Sequence, residues 1–262
     1  MLLSSLSILL ILATTALTFP LAISNNPCSP PTSNCPLARA VYPEFPRAYP
    51  GVEMPDNNIT VAVTLGIGNF THTCRNSVFV PSPRAALYDV SPLLLASRNQ
   101  TSTKSSLVSS AFLTGAPPAG QAVDDYIGFH SPVSYTNTTP AVVLGPCGEE
   151  TVDETPRTVD LPFFILYRAS PSCPSEGVGE KRGTFRSVGR FPSPRAREGF
   201  VGDVDWQQFE VVEGNSYATA NTGIAPTVVM TDTRGGNVTE VGCDVEGATI
   251  VKPFVALFWF FR

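Results

Sequence analysis

The strongest indication of the fold of this 262-residue chain is the apolar run FVALFWFF at residues 254–261. A helix needs about 20 apolar residues to span a membrane, and this run is far shorter. A short apolar run that is rich in aromatic residues is typical of a buried strand. We therefore predict a strand at residues 249–261 whose aromatic side chains fill the core of a β-domain.

Shorter strand-like runs recur upstream of this stretch. Residues 59–65, Ile-Thr-Val-Ala-Val-Thr-Leu, are rich in β-branched side chains, which favour strands. Further strands are predicted at residues 70–74, 85–90, 141–144, 158–167, 208–212 and 227–231. Helices are predicted at 91–97, which begins Ser-Pro, and at 107–113. The pattern predicts a mainly β fold, an antiparallel sandwich or barrel with one or two short helices, in a single domain at residues 56–262.

The N-terminal region reads as a targeting segment followed by a linker. Residues 2–17 carry no charge, and small residues stand at positions 22 and 24, so we predict a signal peptide at residues 1–24 and secretion to the extracellular space. An uncleaved anchor is the alternative; after cleavage we expect no stable membrane span. Residues 25–55 are rich in Pro, Ser and Asn without any period, which predicts an extended Pro-rich arm.

The cysteines and glycosylation motifs agree with secretion. An even number of cysteines in an oxidising compartment predicts disulfides, and six cysteines allow 15 pairings. Pairs of Cys28 with Cys35, Cys74 with Cys243 and Cys147 with Cys173 are plausible. Asn-x-Ser/Thr motifs predict N-glycans on exposed segments. They lie at Asn58, Asn69, Asn99, Asn137 and Asn237.

Composition excludes several classes of function. The net charge of −5 and the pI near 5.1 argue against a nucleic-acid binder, which needs a basic face. Two histidines cannot build a three-histidine metal centre, and no Cys-x-x-Cys pair exists, so we expect no metal. Gly66-x-Gly68 lacks the third glycine of a dinucleotide-binding loop, and we therefore expect no cofactor.

The segment at residues 168–202 differs from the rest of the chain. It holds seven of the 17 basic residues against three acidic ones, and it is rich in Ser, Gly and Pro. We interpret it as a flexible basic insertion in the domain, and it is the one place where a polyanion could bind. The alternatives are a gene-model artefact and a processing loop cut at Lys181-Arg182.

Five short motifs resemble those of a family of secreted, mostly fungal proteins built on a domain of unknown function. They are LGIGNFTHTC at 65–74, ALYDVS at 86–91, IGFH at 127–130, VDW at 204–206 and VALFWFF at 255–261. The resemblance implies a compact, β-rich secreted domain and no particular activity. Members often carry a malate dehydrogenase label, but the incomplete glycine motif argues against an NAD-dependent dehydrogenase here.

A few polar residues are candidates for chemistry. His130 stands at a predicted strand end, where binding residues are common. Two acid pairs, Asp124 with Asp125 and Asp203 with Asp205, are candidates for the two carboxylates of a glycosidase. His72 is interpreted as a hydrogen-bonded or surface imidazole, and Trp206 as a core residue.

These observations favour a secreted, glycosylated, disulfide-bonded binding protein without a catalytic centre. Its expected partner is a glycan or another component of a cell surface or host. The alternative is an extracellular hydrolase that acts on polysaccharide through one of the acid pairs. A pocket that joins His130 to an acid pair would favour this alternative.

Overall fold

A computed structural model describes residue 37 and residues 59–137, 141–144, 150–153, 157–173, 180–197, 202–212, 224–238 and 242–262, with side chains except at 135–153, 157–159 and 196–197. The predicted signal peptide and nearly all of the Pro-rich arm therefore lie outside the described residues. Within the arm only Leu37 is described. It is helical and fully buried, so the arm is not extended at this position, because its apolar side chain packs into the core.

The secondary structure is mostly strand. The strands are β1 (Thr60–Arg75), β2 (Val78–Asp89), β3 (Gly128–Asn137), β4 (Ala141–Leu144), β5 (Glu150–Asp153), β6 (Arg157–Leu166), β7 (Lys181–Phe191), β8 (Trp206–Val211), β9 (Thr227–Gly235) and β10 (Thr249–Phe261). The helices are α1 (Ser91–Ala96), α2 (Gln100–Thr114) and the single turn α3 (Pro194–Arg197).

Eight strands close into an antiparallel barrel in the order β1-β10-β9-β8-β7-β6-β3-β2. This order is a meander in which chain neighbours lie side by side, and the β4–β5 hairpin is inserted between β3 and β6. β1 and β10 pair along most of their length and close the circle. The predicted mainly β, antiparallel sandwich or barrel is confirmed, and its form is the closed barrel.

Residues 254–261 of β10 are buried on both faces, which explains their unbroken apolar sequence. Phe258 and Phe260 belong to the core inside the barrel, whereas Leu257 and Trp259 belong to a second core on its outer side. Helix α2 packs there against β1, β9 and β10. The Trp259 indole N–H donates a hydrogen bond of 2.8 Å to the Thr231 hydroxyl. Alternating side chains of one strand thus stabilise two cores.

The Gly66-x-Gly68 motif serves close packing inside the barrel. A Cβ atom at position 66 would collide with the ring of Phe258, and one at position 68 would collide with the backbone of Arg84. Both glycines lie within β1 rather than between a strand and a helix. This position differs from that of the pyrophosphate-binding loop of dinucleotide-binding proteins.

The prediction of a flexible insertion at 168–202 is wrong for the strand that it contains. β7 pairs with β6 on one side and with β8 on the other, so it is part of the barrel wall. Its Phe185 is fully buried in the inner core. The basic residues misled the prediction because β7 turns Arg182 and Arg186 toward solvent.

The Cys74–Cys243 disulfide is confirmed. It joins the end of β1 to the loop before β10, with 5.3 Å between the Cα atoms. Cys173 is disulfide-bonded to a partner outside the described residues, so its predicted pairing with Cys147 stays a prediction. Cys28 and Cys35 also lie outside the described part of the chain.

Three of the five glycosylation motifs present exposed asparagines, at Asn69, Asn99 and Asn237. Asn99 also caps α2, because its side-chain oxygen accepts a hydrogen bond from the Ser102 N–H. Asn58 and the side chain of Asn137 are outside the described part. Among the described residues, no helix has the length and apolar character needed to cross a membrane.

Candidate functional site

One end of the barrel opens where the ladder between β2 and β3 stops. These strands are paired over three positions, and the last pair is Ala85 with His130. The next inward-facing pair in the same register is Pro83 opposite Pro132. Proline has no backbone N–H to donate, so neither residue can donate a hydrogen bond to the other strand where the β2–β3 ladder stops.

The ladder between β6 and β7 stops at the same level. Its last pair is Phe163 with Thr184, and Pro162 follows on β6. Pro162 is also the cross-strand partner of Pro132. A row of prolines therefore lines the inner face of the wall where the hydrogen bonding between strands ends.

This end of the barrel contains a pocket of about 330 Å³. Its floor is formed by buried side chains that belong to four different strands: Phe70, His130, Phe209 and Met230. Its walls are apolar and consist of Pro81, Pro83, Pro132, Leu161 and Pro162. Pockets of this size, mostly apolar with a few polar groups, are typical of small-molecule sites, and barrel mouths are a common place for them.

The rim of the pocket is polar and carries both signs of charge. It consists of Asp160, Arg186, Ser187, Arg190 and Gln207. Asp160 accepts a hydrogen bond of 2.6 Å from the Ser134 hydroxyl. Arg186 lies 3.5 Å from the carboxylate of Glu210, and both side chains are exposed, so this pair contributes little stability.

His130 lies at the bottom of the pocket as a neutral ring. Its Nδ1 donates a 3.2 Å hydrogen bond to the carbonyl of Phe163, which leaves Nε2 as an acceptor. The ring stacks on Phe164 with 4.3 Å between the centroids. Burial lowers the pKa of His130 to about 4, although the hydrogen bond to Phe163 acts in the opposite direction.

The opposite end of the barrel is filled. The cavity there has a volume of about 20 Å³, between Leu166, Ala225 and Phe260. That is room for about one water molecule. The inner core between the two ends is a cluster of aromatic rings around Phe164, which contacts Phe185, Phe209 and Phe258 edge-on.

The pair Asp124 and Asp125 lies away from the pocket lining, in the exposed loop before β3. The Asp125 carboxylate accepts a hydrogen bond from the Ala122 N–H, and its carbonyl accepts one from Arg168. These contacts hold the loop against the segment that follows β6. The two carboxylates are thus not brought together with His130.

Asp203 and Asp205 lie in different environments. Asp203 is buried, forms an ion pair of 3.1 Å with Arg195, and accepts a 2.7 Å hydrogen bond from the Gly235 N–H. It therefore holds the β7–β8 connection against the end of β9. Asp205 is exposed; partial desolvation raises its pKa, and nearby Arg190 opposes the rise. Neither residue lines the pocket.

The structure agrees with the interpretation of His72 as a hydrogen-bonded imidazole and of Trp206 as a core residue. His72 is buried inside the barrel, and its Nε2 donates a 2.6 Å hydrogen bond to the carbonyl of Gly236. Trp206 is buried with 6% of its surface exposed. Both residues stabilise the fold, and neither lines the pocket.

His130 is a candidate on sequence grounds, whereas the other residues of its pocket are not. Asp160, Arg190 and Gln207 gave no signal, because only the strand register brings them to one rim. The proline row had a signal, since a strand-like run that contains prolines marks a place where strand pairing ends.

The described residues contain no group of three or more His, Cys, Asp or Glu side chains arranged to hold a metal ion. No family model, curated protein or solved structure matches the chain. The family resemblance of its motifs therefore stays a prediction.

Proposed function

We propose that this protein is a secreted, glycosylated binding protein that holds one small, largely apolar molecule in the mouth of its barrel. The observation that carries the proposal is the difference between the two ends. One end is packed to a residual cavity of about 20 Å³, whereas the other keeps a pocket of about 330 Å³.

The lining supports binding of an apolar body with a polar end. Phe70, Phe209 and Met230 offer an apolar floor, and the proline walls add rigid apolar surface. Polar groups are few and stand at the rim or, in the case of His130, at the bottom. Such an arrangement fixes orientation through a few hydrogen bonds while apolar burial supplies most of the affinity.

Secretion rests on the predicted signal peptide, the glycosylation motifs and the disulfide. Disulfides are typical of oxidising compartments, and Cys74–Cys243 closes a long loop of the chain. The exposed positions of Asn69, Asn99 and Asn237 would accommodate glycans. The motif resemblance to secreted fungal proteins agrees with this proposal, and a role at a cell surface or host interface would follow from it.

The alternative, a polysaccharide hydrolase, gains no support from the described geometry. Neither acid pair lines the pocket that contains His130. Asp203 is committed to ion pairing with Arg195, and the Asp125 carboxylate to a loop hydrogen bond. We therefore propose binding as the function of the pocket.

A titration with N-phenyl-1-naphthylamine, a neutral apolar fluorophore, tests the proposal. We expect saturable binding with one site per chain. Ser187→Trp should abolish binding, because residue 187 lines the pocket and the indole would fill it. Val188→Trp is the matched control, since Val188 is 42% exposed and does not line the pocket. Thermal unfolding should show that both variants fold; equal binding by both would overturn the proposal.

A further inference from the structure

We propose that the natural ligand of the mouth pocket is a small aromatic monocarboxylic acid that carries a hydroxyl group at its far end. The inference rests on the proposed function and names its ligand class. It is carried by two polar groups at opposite ends of the apolar pocket, Arg190 at the rim and His130 at the floor.

Arg190 is a cation that is available to a ligand. It forms no ion pair and no hydrogen bond with any described residue, unlike Arg186, which pairs with Glu210. Asp205 acts on Arg190 electrostatically from outside the pocket. Gln207, the cross-strand neighbour of Arg190, adds an amide to the same part of the rim. A guanidinium beside an amide suits a carboxylate.

Asp160 defines the other side of the rim and sets the orientation of an acid. Its carboxylate is exposed and bonded to Ser134 on the neighbouring strand. A ligand carboxylate would be repelled from Asp160 and attracted to Arg190. A cationic ligand would have the opposite preference. Removing the charge of Arg190 and removing that of Asp160 should therefore change the affinity for an acid in opposite directions.

The floor offers a hydrogen-bond acceptor in an otherwise apolar place. His130 donates through Nδ1 to Phe163, so its Nε2 is left to accept, and within the described residues Nε2 has no hydrogen-bond partner. A hydroxyl on a bound ligand would donate a hydrogen bond to this acceptor at the floor of the pocket.

The depth of the pocket along β3 fits an elongated molecule. Along β3, His130 is four residues from Ser134, which lies opposite Asp160 at the rim. Four residues of a strand span about 13 Å. The walls between the two levels are prolines and Leu161, and the floor carries the rings of Phe70 and Phe209, against which a flat aromatic body packs well.

The experiment measures the affinities of three probes by calorimetry: 4-hydroxycinnamate, its methyl ester, and cinnamate, which lacks the hydroxyl. We expect the acid to bind about fivefold more tightly than the ester, which is the upper range for a partly exposed ion pair. Arg190→Gln should remove this preference and Asp160→Asn should increase it. Arg84→Gln is the control, with the same charge change at an exposed arginine outside the pocket lining.

The hydroxyl is tested separately. 4-Hydroxycinnamate should bind about fivefold more tightly than cinnamate, because only it satisfies the floor acceptor. His130→Phe keeps an aromatic ring on the floor, and it should remove this difference.

The outcomes separate the ligand class from the proposed function. One contrary outcome is that N-phenyl-1-naphthylamine binds while the acid and the ester bind equally, and another is that it binds while Arg190→Gln leaves the preference for the acid unchanged. In either case the proposed carboxylic acid is wrong, whereas the proposed binding function of the pocket stands. Equal affinities for 4-hydroxycinnamate and cinnamate would overturn the proposal that a ligand hydroxyl binds His130 at the floor of the pocket. If none of the compounds binds, both proposals fall.

Discussion

The two ends of the barrel are built from the same strands and yet differ in packing. β6 contributes the buried Leu166 to the filled end and the buried Phe164 to the inner core next to it. Further along the same strand it contributes Pro162 and Asp160 to the open mouth. β6 changes from buried core residues to pocket-lining residues at the position where its ladder with β7 ends.

This difference shows that one end of a small barrel can provide stability while the other end provides room for a ligand. An eight-stranded barrel is just wide enough to be filled by side chains or to hold one small ligand. Here the aromatic residues of β10 fill one end, whereas at the other end the β2–β3 and β6–β7 ladders stop next to prolines and a pocket remains. We infer that the filled end supplies most of the stability and that the mouth has room for a ligand.

The largest expected effect compares a substitution at each end. Phe258→Ala should lower the free energy of unfolding by about 4 kcal/mol, because Phe258 is fully buried in the filled core. Phe258→Leu keeps most of the volume and should be milder. Leu161→Ala, in the half-exposed wall of the mouth, should lower it by about 1 kcal/mol or less. Urea unfolding measures all three, and similar losses at the two ends would contradict the division.

A smaller effect is expected at His130, which lies on the border between the two halves. Its pKa is about 4 in the folded chain and its ordinary value is about 6.5, so the unfolded chain binds more protons between these values. The free energy of unfolding should therefore fall by about 3 kcal/mol as the pH drops from 6.5 to 4.

His130→Phe keeps the ring stacking and removes the titration. The difference between the wild-type and variant unfolding curves should be steep between pH 4 and 6.5 and flat above pH 7, because the imidazole is then neutral in both states. Parallel curves throughout would mean that His130 is not buried at this border.

The main elements of the filled half could be predicted from the sequence. Local composition predicted β10 and β1, and the spacing of Ser91 and a following proline predicted α1. The Cys74–Cys243 bond followed from two cysteines placed beside strand-like runs. The strands and the helix are local features, so a short window of residues is enough to indicate them, whereas the disulfide joins residues 169 positions apart and was one of several possible pairings.

The mouth of the barrel could not be predicted in the same way. β7 was missed because its exposed arginines and glycines mask its apolar positions, of which Phe185 is one. The rim residues Asp160 and Arg190 come together only through the register of several strands. A single sequence carries no record of register, whereas prolines within strands do mark where a ladder stops.

The most direct test follows the methyl signal of Met230 by NMR in protein carrying ¹³C-methyl methionine. Met230 is on the floor of the pocket, and the other methionines are Met1 and Met54, so the spectrum is simple to assign with Met54→Leu. The proposed binding predicts that the Met230 signal shifts saturably as N-phenyl-1-naphthylamine is added, and that Ser187→Trp removes the shift. A Met230 signal that stays in place while the fluorophore saturates the protein would contradict a ligand site in the barrel mouth.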